Sequence, residues 1–223
     1  MTLWDTRAEA ILYLENENPE RLAVLLNLLN AIDHLVDCYE KHSRKDTYAR
    51  VCGLTLLKAK HLAVGMFSLA LDGLAQESGA LMRPFIEYTE LLTYFRYFPD
   101  HVDDAVADSN KLPAAGERAK AINGGYKDLR EYLNLHASHS SYSYYALSHL
   151  LEPESFKFKK SQHNVPVVLN TNVKVLSVQV WILLREATLS VKKLNLTEFN
   201  MLAECVDTLH LKLLQEFNLN IAE

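Results

Sequence analysis

Residues 19–41 read PERLAVLLNLLNAIDHLVDCYEK, and this stretch decides the fold. Leu22, Leu25, Leu29, Ile32, Val36 and Tyr39 follow one another in steps of three and four, which puts all six on one stripe of an α-helix. Pro19 stands where the first helical turn tolerates a missing N–H, with Asn18 before it as a cap. Asp33, Asp37 and Glu40 fall off the stripe and belong in solvent.

The same period recurs outward from this stretch. A second helix is predicted from Asp46 or Thr47 to Gln76, turning Val51, Leu57, Val64, Phe67, Leu71 and Leu74 inward. Gly53, Gly65 and Gly73 fall inside it. Each costs about 1 kcal/mol against Ala in a helix, so close packing of a neighbouring helix is expected to compensate. Beyond Ser78-Gly79, Pro84 either opens a third helix or kinks the one before it. That helix carries Phe85, Tyr88, Leu92, Phe95 and Phe98 and stops at Pro99. Residues 100–110 are acidic, with room for a short helical turn. Helix resumes near Pro113, fades before Asn123-Gly124-Gly125, and continues through Tyr126, Leu129, Leu133 and His136. Residues 137–143 form an irregular junction before a short helix near Tyr144 to Leu151.

Helix fails between 152 and 170. Phe156-Lys157-Phe158-Lys159 alternates with period two and Val165-Pro166-Val167-Val168 is β-branched, which predicts a small hairpin or ordered loop. From Thr171 or Asn172 the helical stripe returns as Leu176, Val180, Leu184, Ala187, Val191 and Leu194. Thr197 caps a last helix bearing Phe199, Leu202, Val206, Leu209, Leu213 and Phe217. Seven Gly and six Pro are too few to turn an all-β chain of 223 residues. No repeat or linker divides it. The expectation is an all-α chain, 1–223 as a single domain, a bundle of about seven or eight helices with a small irregular or hairpin insert near 152–170.

A formal charge of -5 argues against a broad basic face for nucleic acid and leaves room for a local patch. Cys38, Cys52 and Cys205 are scattered without metal spacing and read as buried free thiols in a reducing compartment. The N-terminus lacks the basic start and apolar run of a signal peptide. The longest apolar-leaning segment, Val173 to Leu184, contains Lys174, Ser177 and Gln179 and reads as too short and too polar to cross a bilayer. These points lead to the expectation of a cytoplasmic protein with no membrane partner. The heptad-like steps of the first and last long helices suggest a homodimer. There is no Gly-rich phosphate loop, Cys-x2-Cys, His-Glu-x2-His or Gly-x-Ser-x-Gly, and no metal or cofactor is assigned.

The densest polar cluster runs from Tyr126 to His139 and ends REYLNLHASH (130–139). His136 and His139, three apart, would share a helix face and could hold a divalent cation if further ligands came from facing helices. The other reading is two histidines satisfied by hydrogen bonds near a helix end. Lys157, Lys159 and Lys160 beside Phe156 and Phe158 fit either a nucleic-acid contact or a solvated edge. Tyr142, Tyr144 and Tyr145 fit a recognition surface or aromatic anchors in a core.

Arg130 and His136, with five residues between them, resemble the signature of the HEPN superfamily, small helical-bundle proteins that include many ribonucleases. The same spacing class occurs at Arg96 and His101. Glu131 departs from the Asn, Asp or His more usual after the arginine in that family. The resemblance implies an Arg130 that holds a phosphate and a His136 that moves a proton at the ribose hydroxyl, without metal, acting on RNA or a nucleotide. The run GALMRPFIEYTEL (79–91), with Tyr126-Lys-Asp-Leu129 and the following histidine, also resembles uncharacterised bacterial helical proteins that carry an Arg-x3-Glu helix. On this reading Arg83, Glu87, Tyr126 and His139 line the binding site. Arg83 and Glu87, four apart, equally suit a plain ion pair on one helix face. The competing function is a non-catalytic helical interaction module.

Overall fold

In the computed structural model, residues 3–107, 111–136, 151, 157–158, 165–194 and 198–219 are described. Among them the chain is all α-helix with no strand: α1 Leu3–Glu17, α2 Pro19–Ser43, α3 Thr47–Leu71, α4 Ala75–Tyr97, α5 His101–Ala107, α6 Ala115–Ala121, α7 Lys127–His136, α8 Pro166–Val191 and α9 Phe199–Glu216. A 3-10 turn, Lys192–Leu194, follows α8.

Helices α2, α3, α4 and α8 pack on one another and form the centre. On it, α9 lies across α2 and α8, α1 covers α2 and α3, α5 rests on α3, and α6 and α7 both sit on α4. One contiguous apolar cluster runs from Ala10 to Phe217. The stripes read for α8 and α9 are buried there, Leu176, Val180, Leu184, Ala187 and Val191 in one and Leu202, Val206, Leu209 and Leu213 in the other. Burying such side chains stabilises a fold by about 1.5–3 kcal/mol each. The stripes of α2 and α9 face each other within one chain, so they are not free to form the dimer seam expected of them.

In α3 the inward face matches the expectation only in part, with Val51 and Leu71 buried as read. Val64 is exposed and Leu57 half-buried, while Ala49, Cys52, Gly53, Leu56, Ala59, Ala63, Met66 and Ala70 are buried. The buried face is made largely of small residues because α2 and α4 come close. A Cβ on Gly53 would lie 2.9 Å from Tyr39 Cβ, and one on Gly65 would lie 3.2 Å from Leu81 Cδ1. Gly73 lies outside the helix. It takes φ 74°, and the N–H of Leu74 reaches back to the Leu69 carbonyl at 2.9 Å while its own N–H donates to Ala70 O at 3.1 Å. This is a Schellman ending, which favours glycine, and it stops α3 at Leu71 rather than Gln76.

Two other boundaries move, the first at α4, which opens at Ala75, ahead of Ser78-Gly79, and carries Pro84 inside it. The insert expected near 152–170 ends earlier, because Pro166 occupies the first turn of α8 with Val165 as its cap. Proline's fixed φ suits that position, and burial of Leu169 and Val173 overrides β-branched preference. An isolated antiparallel bridge joins Leu151 to Phe158, the only trace of a hairpin among the described residues. The junction at 137–143, the short helix near Tyr144, and Thr197 lie outside the described residues. Helix α1 had not been expected. Its buried contacts are few, and Arg7 holds it by donating to Asp72 Oδ1 and to Ser68 Oγ, both at 2.7 Å.

The exclusion of a membrane and the cytoplasmic location are overturned by helix length. Helices α2, α3 and α8, of 25, 25 and 26 residues, each contain an 18-residue window of mean hydropathy 1.3, 1.3 and 1.6. A spanning helix needs about 20 largely apolar residues. The segment Val173 to Leu184 was judged alone, whereas α8 starts at Pro166 and adds Val167, Val168 and Leu169 to the run. By length and composition the chain points towards a membrane. The thiols also differ from expectation, since Cys38 and Cys52 are buried but Cys205 is exposed.

Candidate functional site

Helix α7 lies on α4 with Leu133 buried in the core, and polar side chains of the two helices also meet there. On α4, Arg83, Glu87 and Glu90 stand at i, i+4 and i+7, the spacing of one helix face. Before and along α7, Tyr126, Arg130 and Asn134 stand at i, i+4 and i+8. The two rows meet in pairs. Arg83 Nε donates to Glu87 Oε1 at 3.2 Å, and its Nη1 donates to Asn134 Oδ1. Arg130 Nη1 donates to Glu90 Oε2, with the carboxylate 4% exposed and the guanidinium 16%.

Glu90 is the group that sequence reasoning missed. Its second oxygen, Oε1, is buried and has no hydrogen-bond partner among the described residues, and the same holds for the Tyr126 hydroxyl. Burial pushes the Glu90 carboxyl above its ordinary value, with Arg130 opposing the shift and Glu87 adding to it. Burial also raises the Tyr126 phenol, helped by the negative charges of Glu90 and Glu186, so the phenol stays a hydrogen-bond donor. The bare backbone of Gly124 passes over the free carboxylate oxygen, where a Cβ would come within 2.7 Å of Glu90 Oε1. Such a close approach is a physical reason for glycine at that turn.

Of the residues expected in the site, the structure gathers Arg83, Glu87, Tyr126 and Arg130 on this seam. His136 is the last residue of α7. Six helical steps place its backbone position about a third of a turn around the axis from Arg130. His139 lies outside the described residues, as do Tyr142, Tyr144, Tyr145, Phe156, Lys159 and Lys160. Lys157 and Phe158 are exposed. Among the described residues, no group of three His, Cys, Asp or Glu side chains is arranged to hold a metal ion.

The second Arg–His spacing does not converge. Arg96 Nη2 donates to Glu186 Oε2 on α8 at 2.6 Å, whereas His101 Nδ1 faces the Tyr94 hydroxyl at 3.1 Å.

The seam combines a buried acid, a held guanidinium and a neutral phenol. A carboxyl raised by burial can exchange a proton nearer neutrality than an exposed one. The spacing signal for Glu90 and Asn134 was present in the sequence, since both continue the i, i+4 rows of residues already singled out. Which face of α4 meets which face of α7 is set by tertiary packing. No protein-family model, curated protein or solved structure matches the chain.

Proposed function

We propose that the chain is a HEPN-like helical protein directed at RNA or a nucleotide, with the α4–α7 seam as its working site. The observation that carries this reading is the buried Glu90 carboxylate, which holds Arg130 with one oxygen while the other oxygen and the Tyr126 hydroxyl remain unpartnered among the described residues. Buried polar groups without partners are uncommon in proteins and concentrate where a ligand or a reaction uses them. Neither α4 nor α7 is among the three helices long and apolar enough to span a bilayer.

In this reading Arg130 is kept in place by Glu90 until a phosphate arrives. A guanidinium matches two phosphate oxygens with its planar fork. Protonation of Glu90, favoured by burial, loosens its hold and frees Arg130 for the phosphate. The Tyr126 hydroxyl donates to a sugar or phosphate oxygen, and Arg83 with Asn134 extends the polar row along α7. His136 takes the proton of the ribose 2′-hydroxyl as that oxygen bonds to the adjacent phosphorus. The bond from phosphorus to the 5′-oxygen breaks, and that oxygen leaves as a hydroxyl by taking a proton from water, to which His136 returns the proton it removed. The products are a cyclic 2′,3′-phosphate and a free 5′-hydroxyl, with no metal required.

The test uses the purified full chain and a mixed RNA pool, beside Arg130→Ala and His136→Ala variants matched for melting temperature. Cleavage or binding that persists with EDTA and is lost in both variants is the expected result. Equal behaviour of all three proteins would refute the reading and leave a non-catalytic interaction module. That second reading has its own support: Arg83, Glu87 and Arg130 each already have a partner within the fold.

A further inference from the structure

A cleft of about 480 Å³ opens at the C-terminal ends of α4 and α8 and is lined by Arg96, Tyr97, Leu189 and Lys192. A volume in this range suits a small-molecule ligand. Three features give the cleft its character. The Tyr97 ring is 58% exposed, with the Arg96 guanidinium 4.8 Å from its centroid. Lys192 is exposed at the rim, its ammonium 5.7 Å from the Phe199 ring. Arg96 Nε is buried and has no acceptor among the described residues.

Glu186 is the acid beside this cleft, and it is already engaged. Its Oε2 accepts from Arg96 Nη2 at 2.6 Å and from the Thr93 hydroxyl at 2.9 Å, while Arg185 lies 3.9 Å from Oε1. Arg96 and Arg185 both approach this carboxylate, and Lys192 adds a further positive charge to the lining of the cleft. Cations at helix C-termini also stabilise the helix dipole. That role does not require an exposed tyrosine ring beneath one of them, nor an arginine N–H without an acceptor.

We infer that this cleft binds a nucleoside monophosphate, with the phosphate between Arg96 and Lys192 and the base stacked on Tyr97. Glu186 and Thr93 hold the guanidinium in place, so little ordering is lost when the phosphate arrives. Base–aromatic stacking adds attraction that inorganic phosphate cannot supply. The cleft shares Glu186 as a neighbour with the seam, since that carboxylate also acts on Tyr126, but the inference does not depend on the reading of the seam.

The experiment titrates the full chain by calorimetry with AMP, adenosine and inorganic phosphate, beside Lys192→Gln, Tyr97→Ala and Arg130→Ala variants. Both changed side chains in the cleft are exposed, so folding should survive, and circular dichroism checks that it does. Saturable AMP binding is expected, about tenfold weaker in Lys192→Gln and in Tyr97→Ala, while Arg130→Ala reports any second binding at the seam. Adenosine and phosphate alone should each bind more weakly than AMP. Absence of saturable AMP binding, or equal affinity in wild type and Lys192→Gln, overturns the inference. Phosphate binding as tightly as AMP, with no effect of Tyr97→Ala, overturns the nucleoside assignment. Loss in Arg130→Ala alone would move the ligand to the seam.

Discussion

At Glu90 two opposing effects act on one carboxyl. Burial disfavours the charged form, and the Arg130 guanidinium favours it; burial is the larger, so the carboxyl sits above its ordinary value near 4.5. The folded state therefore binds this proton more tightly than the unfolded chain does. Its contribution to stability is fully present below the unfolded value and is lost as pH rises through the higher folded value. Glu90→Gln cannot titrate. The stability of wild type minus that of Glu90→Gln, from urea midpoints between about pH 4 and pH 7, should fall as pH rises. A difference that grows with pH would mean that the ion pair with Arg130 outweighs burial, and Arg130 would then be locked rather than releasable. Most of the seam could be read residue by residue. Arg83, Glu87, Tyr126 and Arg130 stood out by charge, hydroxyl and spacing, whereas Glu90 became notable only once burial was known.

Among the helices, legibility depended on side-chain size. Helices α2, α8 and α9 bury leucines and valines, whose recurrence by three and four is plain in the sequence. Helix α3 buries Val51 and Leu71 of the expected stripe, but much of its inward face is Ala, Gly, Cys and Met, and Val64 points outside, so large apolar residues marked only part of that face. The glycines of α3 separate two kinds of close packing. At Gly53 an added Cβ meets the Cβ of Tyr39, which cannot swing away. That ring is fully buried and its hydroxyl donates to Ala187 O on α8 at 2.8 Å. The gain in helix propensity, about 1 kcal/mol, is set against overpacking of about 1–3 kcal/mol. Gly53→Ala should therefore lower stability, by up to about 2 kcal/mol. At Gly65 the obstacle is the free end of Leu81, a half-buried side chain that can rotate, so Gly65→Ala should be neutral or slightly stabilising. Thermal unfolding of the two variants side by side decides the matter, and equal effects at both positions would refute the distinction.

For the whole molecule the open question is where its apolar outer surface rests. The windows of α2, α3 and α8 that could span a bilayer are 50%, 39% and 44% buried inside the bundle, so lipid would meet only their outward faces. Those faces carry Leu26, Leu54, Val64, Val167, Val168 and Val175, all exposed. Two ion pairs that involve these helices cross the bundle. Lys60 meets Asp33 at 2.5 Å between α3 and α2, and Arg96 of α4 meets Glu186 of α8. An unpaired charge at a bilayer centre costs about 2.5–3.5 kcal/mol or more, so such pairing is what a spanning bundle requires. A bundle in water can also carry these pairs, but it has less reason to turn so many leucines and valines outward on its longest helices. A spanning arrangement predicts that the full chain sediments with membranes, stays in the pellet through alkaline carbonate, and enters solution only with detergent. Recovery in a high-speed supernatant without detergent would place the outward leucines and valines in water. Their exposure on α2, α3 and α8 would then mark surface for another protein to cover.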